Sequence, residues 1–471
     1  MNLMLFGPEL YYLLMALALF SMSLRRQVQV RADYQAALLM AGGGLVVAAL
    51  SLFQNGTLFF EAYRVDLFSQ IFKFALALGL FLVLTISHNL AAIEERYQAE
   101  FYLFLTTTTI GMMMLVSSVE LLTIYVALEL SSYSLYILVP LRRGDGIDVE
   151  AGIKYLFIGA VSSGFMLFGL SYIFGATGST YLVDILPKMT QLVNSPIGII
   201  GILLAMAGFF FKLSVFPFHF WAPDVYQGGA NQVVAFIATA SKAAAVAVLL
   251  RLAVLGQGSG YNFTVALVIL SVVSMTLGNL VAIVQKDFKR MLAYSSIAHA
   301  GVFLMGVLTI TEAGYIGAIY YALAYLVMNF TVFMVLSEVA SDGRDLKIVE
   351  LAGLYRRSPL LSMSLILGIF ALAGVPPSIG FTGKLLIFTS AMNAGYFWLV
   401  VIGAVNGTIC LYYYLKVIYA AYFIDDPGLP VIKLSFPIRL LNYALAAIII
   451  GFGFCPDRIV ELAKAAAKAV L

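Results

Sequence analysis

The segment Gly208-Phe-Phe-Phe-Lys212-Leu-Ser-Val-Phe-Pro217, followed by Pro223, sets a lysine and prolines inside an apolar run. Proline removes an intrahelical hydrogen bond and its ring clashes with the preceding turn, so a helix through this run must break close to Lys212. A second segment, Gly374-Val-Pro376-Pro377-Ser-Ile-Gly380-Phe-Thr-Gly383-Lys384, has the same ingredients. The surrounding chain is too apolar for water. Of its 471 residues 62% are hydrophobic and 11% charged, with a mean hydropathy of +0.99, whereas soluble domains carry roughly 25% charged residues.

Apolar runs of about 20 residues, each long enough to cross a bilayer, divide the chain into about fourteen predicted transmembrane helices. The two interrupted runs are the seventh (196–216) and the twelfth (359–392), five apart. The repeat unit is therefore five helices, spans 4–8 and 9–13, and an odd number forces the second copy to enter the membrane from the other side. The expected fold is an all-α polytopic membrane protein with two inverted five-helix repeats and broken helices 7 and 12. Its expected parts are an N-terminal three-helix segment (1–98), a first antiporter-like repeat (99–255), a second inverted repeat (256–423) and a C-terminal helix with tail (424–471). The bland alternative is that prolines are simply commoner in membrane helices.

Alternate loops collect fifteen of the loop Lys and Arg residues, among them Arg25, Arg26, Arg142, Arg143, Lys286, Lys289 and Arg290, against six on the opposite side. Cytoplasmic loops are the basic ones, so both termini are expected on the outer side. The net charge of +3 reflects this bias and not an affinity for nucleic acid. Arg25 and Arg26 follow the first apolar run instead of preceding it, which reads as an uncleaved helix. Loops are too short for a soluble catalytic domain. Cys410 and Cys455 form no CxxC, and His88, His219 and His299 are isolated, so neither an iron–sulfur cluster nor a transmembrane haem is expected. No Walker motif, Gly-x-Gly-x-x-Gly, HExxH or Ser/His/Asp arrangement occurs.

A charge at mid-bilayer costs at least ~2.5–3.5 kcal/mol on insertion scales, so the ionisable residues inside spans mark an ion or proton path. Lys212 sits at the break of span 7, where freed backbone carbonyls can share the cost of its charge. Glu129, in Tyr125-Val-Ala-Leu-Glu129-Leu-Ser-Ser, is its natural partner; a static ion pair is the alternative. Lys242, in Ala238-Thr-Ala-Ser-Lys-Ala-Ala-Ala-Val, is more than about 10 Å from either helix end, too far to snorkel easily. Lys384 is mid-span beside the Gly/Pro break. Lys154 lies near the end of span 6, after Asp148 and Glu150, where snorkelling or a surface ion pair competes with a relay role. His299, in Tyr294-Ser-Ser-Ile-Ala-His299-Ala-Gly301, is either a bridging proton site or a hydrogen-bonded packing residue. His219 is positioned to orient the turn after the break, and Lys73 and Lys416 read as structural.

The run Phe211-Lys-Leu-Ser-Val-Phe-Pro-Phe-His-Phe-Trp-Ala-Pro-Asp-Val-Tyr-Gln-Gly228, with Ala238-Thr-Ala-Ser-Lys242 and Lys286-Asp-Phe-Lys-Arg-Met-Leu-Ala-Tyr-Ser-Ser-Ile-Ala-His299, resembles the antiporter-like, proton-translocating membrane subunits of respiratory complex I. Lys384 in Gly-Phe-Thr-Gly-Lys384 matches the subunit N branch, called subunit 2 in mitochondria. The resemblance spans the whole chain and implies roles. Glu129 and Lys212 are the charge pair of one half-channel, Lys154 an auxiliary lysine, Lys242 the central relay and Lys384 the terminal lysine of the second half-channel. It implies a non-redox subunit of a NADH:quinone oxidoreductase in a bacterial inner membrane, with no cofactor of its own. NAD, FMN, iron–sulfur clusters and quinone belong to partner subunits, reached through other membrane subunits and a peripheral redox arm. A Mrp-type cation/proton antiporter subunit, or the membrane subunit of a related hydrogenase or dehydrogenase, is the alternative.

Overall fold

The computed structural model describes residues 3–25, 27–143, 147–192, 195–256, 261–425 and 428–470; Arg26 of the basic loops lies outside them. The helices are α1 Gly7–Ser23, α2 Val30–Leu50, α3 Leu67–Thr85, α4 Gln98–Ser117, α5 Leu121–Leu138, α6 Ile147–Thr177, α7 Leu182–Leu192, α8 Pro196–Ala205, α9 Ala207–Leu213, α10 Trp221–Gly228 and α11 Asn231–Phe236. They continue as α12 Lys242–Ala253, α13 Tyr261–Val284, α14 Phe288–Val307, α15 Glu312–Val339, α16 Leu354–Arg357, α17 Pro359–Ala373, α18 Ile379–Asn393, α19 Phe397–Phe423, α20 Phe436–Phe454 and α21 Asp457–Val470. The one sheet among the described residues joins α2 to α3: β1 (Gly56–Leu58) pairs antiparallel with β2 (Tyr63–Val65), Gly56 opposite Val65. Its alternation buries Tyr63 and Val65 against the helices.

Eleven described helices are long and apolar enough to cross a membrane, twelve if the pair α8 and α9, bent by 46°, is one span. The expected fourteen is not reached, for two local reasons. Arg290 and His299 depress the hydropathy of α14, and the twelfth span is divided into α17 and α18, each of 15 residues. The two interruptions themselves are where the prolines place them, in Ser214–Phe220 and Gly374–Ser378.

Burial grades the spans from the centre of the bundle outward. The window of Asn231–Gly256 is 100% buried and that of Glu312–Val339 94%, against 22% for Phe436–Phe454. Nearly continuous apolar sequence therefore serves two ends: inner helices meet protein on every side, outer ones present Leu39, Phe168 and Tyr443 outward.

Two glycines show how the halves correspond. Gly111 lets α4 lie against the backbone of α5 at Ser131, and Gly278 lets α13 lie against α14 at Ala298; a Cβ would stand 2.7 Å from the first amide nitrogen and 2.6 Å from the second. Close backbone approach of this kind is what small residues provide in membrane bundles. In that register Glu129 of α5 falls opposite Ser296 of α14.

Candidate proton-transfer site

Each broken span ends its first half in the same way. Ser214 (φ +64°) and Gly374 (φ +83°) take the left-handed conformation that terminates α9 and α17. The amide of Val215 donates to the carbonyl of Phe210 (2.8 Å), and that of Val375 to Phe370 (2.9 Å). These are Schellman closures, which satisfy carbonyls left free by the helix end. Each is followed by a cis X–Pro bond, at Phe216–Pro217 and Pro376–Pro377. Extending this register without a gap sets Leu213 opposite Ala373, Lys212 opposite Leu372 and Asp224 opposite Lys384.

The register separates the two lysines that the sequence appears to match. Lys212 precedes its break and Lys384 follows its own. Side chains on a helix lean towards its N-terminus, so Lys212, in the last turn of α9, points away from the carbonyls at that end. Its buried Nζ has no hydrogen-bond partner. Lys384, early in α18, leans back onto the break and donates to the carbonyls of Leu372 and Ala373, both at 2.9 Å. The expectation that freed carbonyls support Lys212 is thus corrected. The carbonyl of Leu213 goes to Lys242, whose Nζ is 3.0 Å from it and 2.8 Å from Oγ of Ser296. Lys242 begins α12 directly after a π-helical stretch, Ile237–Ser241, of the kind that often marks functional sites.

Glu129 is close enough to act electrostatically on Lys212, yet no direct ion pair joins them. Its Oε1 accepts a short hydrogen bond from Ser163 of α6. At the other end His299 is buried between two phenols, Tyr321 at 2.6 Å from Nδ1 and Tyr414 at 3.2 Å from Nε2; Tyr414 also bonds Ser295. A cavity of about 360 Å³ opens beside His299, walled in part by Lys384, Asn279, Asn406, Cys410 and Tyr413. From Glu129 to Lys384 the buried groups make a series with two hydrogen-bonded sets: the Leu213 carbonyl, next in the chain to Lys212, and Ser296 hold Lys242, while Tyr414 joins Ser295, next in the chain to Ser296, to His299. Groups that both donate and accept can hand on protons without moving far.

Lys154 is drawn elsewhere. Its Nζ lies 2.6 Å from Asp224 and from Glu150, with the side chain 41% exposed, and the far oxygen of Asp224 holds Arg290 at 2.7 Å. Lys154, Asp224, Arg290 and His219 line a cleft of about 490 Å³. The turn after the break is tied by Trp221, whose indole N–H donates to the carbonyl of Phe211 (2.9 Å), while the His219 ring packs at a tilt against Phe216 and Phe220. Lys416 donates to the carbonyl of Ile283 near the end of α13 at 3.1 Å. Among the described residues no cluster of three or more His, Cys, Asp or Glu could hold a metal ion.

A family profile described as "NADH:quinone oxidoreductase/Mrp antiporter, TM" matches residues 118–410. The chain is 50% identical to NADH-quinone oxidoreductase subunit N 2 of Syntrophobacter fumaroxidans over the full length of both proteins. The chain belongs to the NADH:quinone oxidoreductase/Mrp antiporter membrane family. Subunit N of Heliobacterium modesticaldum is 37% identical, again over both whole chains. A chain of respiratory complex I from Thermus thermophilus matches with TM-score 0.83 and 32% identity, covering 96% of this chain and 98% of that one. A chain of the Mrp complex from Dietzia sp. has TM-score 0.86 at 18% identity, covering 100% and 98%, a likeness of fold alone. The expected resemblance to the subunit N branch is borne out by these relatives.

Membership of this family still left part of the site unread. Ser163, Ser295, Ser296, Tyr321 and Tyr414 carry no individual signal, because hydroxyls are common in membrane helices and usually bond back to their own backbone. Glu9 did carry one. It is a carboxylate in the first apolar run, and it is completely buried 2.8 Å from Nζ of Lys73.

Proposed function

We propose that the chain is a proton-translocating, non-redox membrane subunit of a NADH:quinone oxidoreductase, driven by electron transfer in partner subunits. The observation that carries this is Lys242, a fully buried amine on the innermost span, held by the Leu213 carbonyl at one break and by Ser296 of the other repeat. An ammonium placed there by chance costs insertion energy with no return, whereas a relay needs a group able to gain and lose a proton. Glu129 and Lys212 serve as the charge pair of the first half-channel, Lys242 as the central relay, His299 as a bridge and Lys384 as the terminal lysine. Lys154, paired with Asp224, is the auxiliary lysine. Moving one charge against the membrane potential takes ~2.3 kcal/mol per 100 mV, the equivalent of a pKa change below two units, so modest changes in pairing suffice.

On this reading residues 1–98, 99–255, 256–423 and 424–471 are the N-terminal segment, the two repeats and the C-terminal tail. Both termini face the outer side of a bacterial inner membrane. NAD, FMN, iron–sulfur clusters and quinone sit in partner subunits. The test is proton ejection per NADH oxidised by the whole complex in sealed vesicles. Lys242→Ala should assemble and lose at least ten-fold in ejection; normal ejection would end the proposal.

A further inference from the structure

The N-terminal helices hold a second buried ionisable group of residues, all of them before residue 118, where the family match begins. Glu9 of α1 and Lys73 of α3 are both 0% exposed, with Oε1 and Nζ 2.8 Å apart. The phenol of Tyr63, on β2, donates to the same Oε1 at 2.6 Å, and Nζ lies 5.0 Å from the centre of its ring. Lys73 is the seventh residue of α3, so it lies about 10 Å beyond the helix start. A lysine at that depth on a lipid-facing surface would snorkel outward. This one turns inward to a carboxylate.

The group is incompletely satisfied. The second oxygen of Glu9 and both amide atoms of Gln70 are buried without a hydrogen-bond partner. Gln70 stands one turn before Lys73 on the same face of α3, and Asp66 one turn earlier still, where it meets Arg251 of α12 in two bonds of 2.9 and 3.0 Å. Unpartnered atoms of this kind are where internal water settles, since a buried water needs two to four polar partners. A pair that served packing alone would gain by having every atom bonded. Further along α3, Gly79 lies against Ala240, in the π-helical stretch just before Lys242. The helix therefore runs from its buried N-cap at Asp66 to the neighbourhood of Lys242.

We propose that Glu9, Lys73, Tyr63 and Gln70 form a hydrated proton-holding site in the N-terminal segment, distinct from the Glu129–Lys384 series. One proton arriving on the Glu9 carboxylate gives a neutral acid beside the Lys73 ammonium; its departure restores the ion pair, and only O–H bonds to Glu9 and water form and break. This inference rests on the proton-translocating reading above.

The test uses the whole complex in sealed vesicles with Glu9→Gln, Lys73→Met and the double variant, measured beside Lys242→Ala. Glu9→Gln is expected to assemble and lose two-fold or more in proton ejection per NADH, and the double variant to stay low. A double variant that ejects protons normally shows a static pair and overturns the inference. Where Glu9→Gln fails to assemble, Tyr63→Phe keeps both charges. It should shift a carboxylic-acid C=O band in the infrared difference spectrum of the turning-over complex, and an unshifted or absent band overturns the inference. Normal ejection by both Lys242→Ala and Glu9→Gln removes the underlying function; normal ejection by Glu9→Gln with loss in Lys242→Ala removes this site alone.

Discussion

The two broken spans are closed by the same backbone device and served by different side chains. At Ser214 and at Gly374 a left-handed residue ends the half-helix and the next amide returns to a phenylalanine carbonyl. The equivalent carbonyls, of Leu213 and Ala373, each receive a lysine ammonium. In the first repeat it comes from the following span, as Lys242; in the second from the far half of the same span, as Lys384. The glycine contacts add a second exchange, with the acid Glu129 in one repeat and the hydroxyl Ser296 in the other. Backbone geometry recurs because a broken membrane helix must satisfy its carbonyls. Charge is free to differ.

Replacing Lys384 breaks the comparison most directly. Lys384→Met leaves two carbonyls without their donor, and proton ejection is expected to fall at least ten-fold in the assembled complex; a normal rate would show that Lys384 is dispensable. Ser296→Glu makes the second repeat resemble the first by giving Lys242 a carboxylate. A permanent ion pair should then hold the relay charged, and ejection should drop about five-fold, while an unchanged rate would show that Ser296 merely packs.

Smaller effects test the scaffold. Gly374→Ala should destabilise the complex by at least ~1 kcal/mol because alanine is strained at positive φ and its Cβ would stand 2.8 Å from Cδ of Lys384, and Ser214→Gly should leave stability equal or slightly higher. Thermal unfolding in detergent reads both, and equal shifts would argue against a shared closure. Lys154→Met should cost no more than ~1 kcal/mol in the same assay, since a half-exposed ion pair contributes little. A large loss there would move Lys154 into the essential series.

The prolines, glycines and buried charges made most of this legible in advance. Pro217 and Pro377 located both interruptions, because an absent N–H cannot be replaced whatever packs around it. Lys242 was recognisable from the length of apolar chain on either side. The apparent equivalence of Lys212 and Lys384 misled, because matching lysine to lysine ignores the direction in which helix side chains lean. Glu9 escaped notice because the first apolar run was read only as an uncleaved helix.

By itself the sequence determined that the chain lives in a membrane, where it breaks, and which ionisable groups are committed to the interior; these follow from transfer energies and backbone hydrogen bonds, which are local. The partner of each buried charge was decided by tertiary structure alone. Leu213 and Ser296 meet Lys242, Tyr321 and Tyr414 meet His299, and Tyr63 and Lys73 meet Glu9 across 22 to 115 residues of chain. Such contacts depend on crossing positions between helices, and no helix records in its own residues which neighbour will face it.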